Sequence, residues 1–238
     1  MAHRLPVAAW GISLLGAALS VVAGALMGGR AYVATSVLVI AFAMLPFFAS
    51  FERQRPQARQ LAVLAVLCAL GVAARALFIW VPHFKPMAAI IIIAAVAFGR
   101  TSGFLVGALT VAASNLIFGQ GPWTPWQMLA FGLCGYAFGL LAERGVFGSR
   151  THLAPGRLAA LGLGGGAFIV LVAGPLLDTS SLFYFAALPT PEAALAVYLA
   201  GFPVNCIHGA SVAIALFLLA NPLLGKLARL RTKYGVLQ

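Results

Sequence analysis

Two polar side chains stand within a long apolar run near the end of the sequence, and they could bind a small molecule. Asn205 and His208 are three residues apart, so they share one face of a helix. Both could also have a structural role. Pro203 frees a backbone carbonyl nearby, to which Asn205 could donate a hydrogen bond, and His208 could hydrogen-bond a neighbouring helix. From the sequence, a ligand-binding role and a structural role are both open.

The stretch FGQGPWTPWQM (118–128) combines aromatic rings with amide groups between two apolar runs. Trp123 and Trp126 accompany Gln120 and Gln127 on a scaffold of glycine and proline, which permit a tight turn and stiffen it. The pattern predicts a rigid loop that could cover a planar, polar small molecule. The tryptophans could also belong to an aromatic belt at a membrane surface.

Further polar groups lie close to these two features. Arg75 is placed near the end of an apolar run, where it either extends towards water or anchors a polar or anionic substrate group. Asn115 lies one turn before the 118–128 stretch and could face the same cavity. His83 and Lys85 follow Arg75 in the chain and complete the predicted substrate-binding set.

The sequence gives little support to catalysis or metal binding. Ser102 and His208 are a conceivable nucleophile and base, but the predicted spans place them at different depths, and such groups must touch. The sequence has no GxxxxGK[ST] motif for ATP and no cluster of Cys, His or acidic residues with metal-ligand spacing. We therefore expect a protein that is not an enzyme and has no cofactor.

The composition predicts an all-α integral membrane protein. Apolar residues make up 63% of the chain and charged residues 8%, with a mean hydropathy of +1.04. A membrane span needs about 20 apolar residues. The first apolar run is longer than the core of a typical signal peptide, so we expect it to be a retained transmembrane helix. Eight spans are predicted at about 6–28, 31–50, 58–81, 86–99, 101–119, 124–142, 156–177 and 193–222.

The positions of the basic residues predict the orientation of these spans. Arg30 and Lys85 lie in segments on one side, and Arg75 lies within a span. The other twelve of the fifteen Lys and Arg residues lie on the side of the N-terminus, which predicts cytoplasmic N- and C-termini. Because these residues flank apolar runs and form no patch between aromatic residues, we expect contact with membrane lipid and no nucleic-acid binding.

The polar stretch SFERQRPQARQ (50–60) is the best internal boundary. It divides the chain into two N-terminal helices, residues 1–57, and a six-helix domain, residues 58–238. At the start of that domain Ala65, Ala69 and Ala73 recur at every fourth position. Small residues at this spacing allow another helix to approach closely, either from this chain or from a partner protein.

Four stretches of the sequence resemble one family of membrane proteins. They are ARALFIWVPHFKPMAAIIIIAAVAFG (74–99), GFLVGALTVAASNLIFGQGPWTPWQML (103–129), FPVNCIHGAS (202–211) and PLLGKLARLRTKYG (222–235). In them the chain resembles the substrate-binding S components of energy-coupling factor (ECF) vitamin transporters, over about residues 58–236. The second stretch is the most specific, because Gly, Pro and Trp at those offsets rarely coincide by chance.

The resemblance implies a high-affinity binding subunit in the plasma membrane of a prokaryote. Its substrate would be a vitamin or related micronutrient, and its partners a transmembrane T subunit and two cytoplasmic ATPase subunits of an ABC importer. Ala65, Ala69 and Ala73 match the family's docking face. The WTPW-type loop most resembles cobalamin-type S components, with riboflavin-like and pyrimidine-type vitamins as alternatives. The family pattern would place an acid where Asn205 stands.

Two other functions are weighed against this interpretation. A self-contained secondary transporter would need proton or ion coupling, but all four acidic residues are predicted in loops or at the ends of segments. An intramembrane enzyme would need Ser102 and His208 to meet. Both alternatives therefore rank below a binding subunit.

Overall fold

Every regular element that the computed structural model describes is a helix. The described residues are 7–27, 31–53, 57–185 and 190–234. Their helices are α1 (Val7–Met27), α2 (Tyr32–Glu52), α3 (Ala58–Leu77), α4 (Met87–Phe98), α5 (Arg100–Phe118), α6 (Thr124–Glu143), α7 (Pro155–Phe168), α8 (Gly174–Phe185) and α9 (Pro191–Tyr234). A π-helical turn, Ile169–Ala173, joins α7 and α8 into one rod, so the described residues form one rod for each predicted span.

Six helical segments of the described chain are long and apolar enough to cross a membrane. They are Val33–Glu52, Ala58–Leu77, Arg100–Phe118, Thr124–Glu143, Pro155–Phe183 and Pro191–Lys233. The apolar part of α1, Ala8–Ala23, is shorter, and α4 has only 12 residues. At about 1.5 Å per residue, α4 is about 18 Å long and cannot alone span a hydrocarbon core of about 30 Å. The chain is thus a multi-pass helical membrane protein.

The short helix α4 lies at the centre of the bundle. All residues of α4 from Met87 to Ala97 are buried, and α3, α5, α6, α7 and α9 pack around them. A helix that is apolar on every side is stable only inside a larger core, which α4 finds among its neighbours. Gly99, with φ of +88°, ends α4 and turns the chain directly into α5.

Helices α5 and α6 share the most extensive contact among the described helices, and glycines line that contact. A Cβ atom on Gly103 or Gly135 would collide with the backbone of the other residue, and one on Gly107 would collide with the Phe131 carbonyl. Small residues of this kind let two helix backbones touch and fix their register. This register brings the end of α5 beside the start of α6, where the candidate site lies.

The N-terminal helices pack on the rest of the bundle through α2. The Phe47 ring stacks on Phe104 with centroids 4.2 Å apart, and it meets Tyr136 edge-on. Helix α2 contacts α5, α6 and α8, whereas α1 packs mainly on α2. The boundary at residue 57 stays a prediction, but α2 shares an aromatic cluster with the six-helix part.

The predicted end of the seventh span is wrong, and the difference changes where the acidic residue Asp178 lies. The seventh span was predicted at about 156–177, which would put Asp178 at the end of its segment. The helix continues through α8 to Phe185, so Asp178 lies on a helix inside an apolar segment. The apolar residues Leu182 and Phe183 after Asp178 extend the helix beyond the predicted end.

Candidate functional site

A cavity of about 180 Å³ lies at the end of the bundle where α4 begins. Its walls come from α3, α4, α5, α6, α8, α9 and the connection between α3 and α4. The lining residues are Arg75, Lys85, Met87, Val111, Gln127, Phe131, Leu177, Asp178, Ser181, Val204, Asn205 and His208. Five of them were predicted as substrate-binding residues: Arg75, Lys85, Gln127, Asn205 and His208. Apolar walls with a few converging polar groups are typical of small-molecule sites.

Arg75 is held in place by the end of α5. Its Nη1 donates to Ser114 Oγ at 2.6 Å and to Asn115 Oδ1 at 2.8 Å, and its guanidinium lies 4.6 Å from the centre of the Phe118 ring. Both polar partners are buried and uncharged. The guanidinium is therefore fixed by neutral groups, and Nε and Nη2 make no hydrogen bond to the residues that the structure describes.

Asn115 joins the α5 end to the start of α6 but does not line the cavity itself. Its Nδ2 donates to Gln127 Oε1 at 2.8 Å and to Thr124 Oγ1 at 3.0 Å. Because its Oδ1 also accepts from Arg75, one buried amide orients two cavity residues on different helices. Ser114 and Thr124 belong to this network and were not predicted, since a single hydroxyl in an apolar run carries no distinctive sequence signal.

The 118–128 stretch is a loop only over residues 119–123, because α6 already begins at Thr124, and this loop is braced by side chains of the stretch. Thr124 Oγ1 donates to Gln120 Oε1 at 2.8 Å, and Gln120 Nε2 donates to the Ala112 carbonyl at 3.1 Å. Gln120 is exposed and lies away from the cavity lining. Gln120 therefore braces the loop, whereas Gln127 faces the cavity from the first turn of α6.

Trp123 of the loop and Trp126 of α6 lie beside a different, much smaller crevice. Trp123 and Trp126 line a space of about 10 Å³ together with Ser36 of α2 and Phe183 of α8. Trp126 is buried, and its Nε1 donates to Ser36 Oγ at 3.4 Å. The structure thus separates the tryptophans from the cavity, and their part in closing it stays a prediction.

Asp178 meets Asn205 at the cavity wall, although 27 residues separate them in sequence. Asn205 Nδ2 donates to Asp178 Oδ2 at 2.8 Å. Two glycines make this approach possible, because a Cβ on Gly174 would collide with the Asn205 amide and one on Gly201 with the Asp178 carboxylate. The family pattern led us to expect an acid at position 205, and here α8 brings an acid to that place.

His208 has a ring nitrogen that no group in the described chain satisfies. Its Nε2 is buried and has no hydrogen-bond partner among the described residues, and the Phe131 ring lies 5.9 Å away. A buried polar atom without a partner costs about 1–3 kcal/mol, and because His208 lines the cavity, a polar group placed there could satisfy its Nε2. Ser102 lies in the first turn of α5, about 18 Å along that helix from Ser114, and it does not line the cavity with His208.

Lys85 enters the cavity from the connection between α3 and α4. Its backbone N–H donates to Ser211 Oγ on α9 at 3.2 Å, which ties this connection to the bundle. Burial lowers the pKa of the Lys85 ammonium, and the positive charge of Arg75 lowers it further. His83 is exposed in the same connection, with φ of 61°, and does not line the cavity.

The three alanines predicted to form a docking face are accessible in the described structure. Ala65, Ala69 and Ala73 are all exposed on α3, beside the exposed side chains of Val66 and Leu70. Arg75 follows two residues after Ala73 and is half-buried against α5. One helix therefore carries both an open small-residue face and a cavity residue.

The comparison with protein-family models gives a match. The family model of the ECF-type riboflavin transporter S component matches residues 56–224, more than half of the chain, and starts just before α3. The comparisons with curated proteins and with solved structures find no match. The matched family is a transporter family, and it is the riboflavin type, whereas the 118–128 loop had suggested the cobalamin type. The chain belongs to the family of ECF-type riboflavin transporter S components.

Proposed function

We propose that the cavity among α3–α6, α8 and α9 binds a vitamin or related micronutrient, which the chain delivers to an ABC importer driven by separate ATPase subunits. Family membership supports a substrate-binding subunit of an ECF transporter. The observation that carries the cavity assignment is His208, whose buried Nε2 has no partner among the described residues. Gln127 and Asn205 add amide groups on two other sides of the same space.

The size of the cavity favours a small heterocyclic substrate over cobalamin. Its volume of about 180 Å³ lies below the range of about 300–1,000 Å³ that is usual for drug-sized ligands. A flat ring system could enter this space after a modest opening, whereas a corrin ring with its nucleotide tail is several times larger. We therefore place a substrate of riboflavin's size before cobalamin, which stays the competing candidate.

We assign docking of the transmembrane T subunit to the face formed by Ala65, Ala69 and Ala73. All three are exposed, and small residues at this spacing let a partner helix approach closely. Because α3 also carries Arg75, a partner that shifts α3 would move one wall of the cavity. This provides a physical route from docking to substrate release.

The proposed function is tested by calorimetric titration of the purified chain in lipid nanodiscs. The panel contains riboflavin, cobalamin and smaller vitamins. We expect saturable binding of at least one heterocyclic compound, and His208→Phe should weaken it about tenfold or more, because the ring nitrogen loses its bond to the ligand. Cys206→Ser is the matched control, since Cys206 is exposed on the same helix and should bind as the unchanged chain does.

Two results would contradict the proposal. The folded chain could bind nothing in the panel, or His208→Phe could bind the best ligand as tightly as the unchanged chain does. Binding of cobalamin alone would retain the cavity but reverse the order of the two candidates.

One observation favours a second candidate function, a proton-coupled secondary transporter. Asp178 lies on a helix at the cavity, and carboxylates in such positions act as proton carriers in transporters. The chain reconstituted alone into liposomes would then accumulate substrate when a pH gradient is applied. A binding subunit that depends on ATPase partners would accumulate none.

A further inference from the structure

The charged groups that line the cavity are not balanced. Arg75 and Lys85 are cations, and Asp178 is the acidic residue among the described lining residues. Asp178 is hydrogen-bonded to Asn205. The described salt bridge, between Arg100 and Glu143, lies at the opposite end of α5. Neither cavity cation is thus paired with a carboxylate of the described chain.

The surroundings of the two cations leave their donors available. Arg75 uses Nη1 for Ser114 and Asn115, and its planar guanidinium has further N–H groups on Nε and Nη2. The Lys85 ammonium makes no hydrogen bond or ion pair to any residue that the structure describes. The positive charge of Arg75 is close enough to lower the pKa of Lys85.

Two like charges in a half-buried cavity raise its energy unless an anion joins them. Their repulsion grows as the local dielectric constant falls, and each charge also loses part of its hydration. A guanidinium that its neighbours already hold fixed can bind a carboxylate or phosphate through two N–H groups, at a small cost in side-chain entropy. The cavity therefore has the donors, the charge and the rigidity of an anion site.

We propose that the substrate carries an anionic group, a carboxylate or a phosphate, which Arg75 and Lys85 bind together. The inference rests on the proposed function and names the substrate class of the same cavity. Gln127, Asn205 and His208 then hydrogen-bond the uncharged polar part of the substrate, and its ring packs on Phe131. Riboflavin itself is uncharged, so this chain would differ in substrate from the compound that its family is named for.

The test compares pairs of compounds that differ in one anionic group. Riboflavin is paired with riboflavin 5′-phosphate, and nicotinamide with nicotinate, so phosphate and carboxylate are distinguished. Binding to the full chain in nanodiscs is measured by calorimetry. We expect the anionic member of at least one pair to bind about ten- to a hundredfold more tightly, as for hydrogen bonds to charged groups.

Variants at Lys85 assign the preference to this site. Lys85→Gln removes the charge from a side chain without a described partner, so the fold should persist and the preference should fall about tenfold or more. Lys85→Arg keeps the charge and should keep the preference. Lys226→Gln, at an exposed lysine of α9, is the matched control and should bind as the unchanged chain does.

The pH dependence provides an independent readout. Because the pKa of Lys85 is lowered from 10.5, its charge is lost at a lower pH than that of an ordinary lysine. The affinity of the unchanged chain for the anionic ligand should therefore fall as the pH rises towards 10.5. The affinity of the Lys85→Arg variant should stay constant over the same range. A flat profile in the unchanged chain would exclude Lys85 from anion binding.

The possible failures are distinguishable. If the neutral member of every pair binds as tightly as the anionic member, the anion proposal is wrong and the proposed function stands. If Lys85→Gln keeps the full preference, the anion binds elsewhere and the assignment to this cavity is wrong. If the folded chain binds no compound of either kind, the proposed function fails together with the inference.

Discussion

The hydrogen bond between Asp178 and Asn205 determines how charge is arranged in the cavity. The carboxylate belongs to α8 and the amide to α9, and the amide nitrogen donates to the carboxylate at 2.8 Å. An acidic side chain at this depth either neutralises part of the positive charge of Arg75 and Lys85 or carries a proton. Replacing the acid by its amide separates these two roles with little change of shape.

We predict that Asp178→Asn binds an anionic substrate more tightly, by a few-fold to about tenfold. The amide oxygen still accepts from Asn205, but the repulsion between the carboxylate and the substrate anion is removed. Calorimetry in nanodiscs measures this change, and Thr179→Val, at the neighbouring position, is the control. Weaker binding in Asp178→Asn would mean that the carboxylate itself contacts the substrate.

At the scale of helices, the apolar runs could be predicted because their length and composition are visible in the sequence. Each of the eight predicted runs has a helical rod in the described chain. The ends of the helices do not follow from hydropathy alone, because a helix such as α9 continues into polar sequence as far as Tyr234. The π-helical turn Ile169–Ala173 has no distinctive sequence periodicity. The extent of α8, and with it the helical position of Asp178, could therefore not be predicted.

The site could be predicted only as far as residue type reveals it. Arg75, Asn205 and His208 stand out because charged and amide groups are rare in apolar runs. The tryptophans also stand out, but whether their rings face the cavity or the Ser36 crevice depends on the packing of α2. The contact between Asp178 and Asn205 depends on two distant glycines and is invisible before the fold is known.

The T subunit is predicted to dock on helix α3. Ala69→Trp should abolish substrate uptake in cells that contain the T subunit and the ATPases, because a large ring prevents close helix approach. Substrate binding by the isolated chain should stay within about twofold, since Ala69 is exposed and lies off the cavity. Leu163→Trp, at an exposed position on α7, is the control for adding a tryptophan. Undiminished uptake in Ala69→Trp would show that docking occurs elsewhere.

At the scale of the whole molecule, α2 connects the N-terminal helices to the six-helix part. The family match begins at residue 56, so α1 and α2 lie outside it. Yet α2 reaches Phe104 of α5, Tyr136 of α6 and Trp126 beside the loop. These contacts join α2 to α5 and α6, the two helices that carry Val111, Gln127 and Phe131 of the cavity lining, so we infer that α2 supports them.

This support is tested by Phe47→Ala, which removes the ring stacked on Phe104 and edge-on to Tyr136. Aromatic pairs contribute about 0.5–1.5 kcal/mol beyond area burial, so we expect a loss of at least about 1 kcal/mol of stability, seen as a lower thermal midpoint in nanodiscs. Leu38→Ala, at an exposed position of α2, should leave the midpoint nearly unchanged. If Phe47→Ala melts as the unchanged chain does, α2 is an attachment to a six-helix unit that is stable without it, and the boundary at residue 57 separates two independent parts.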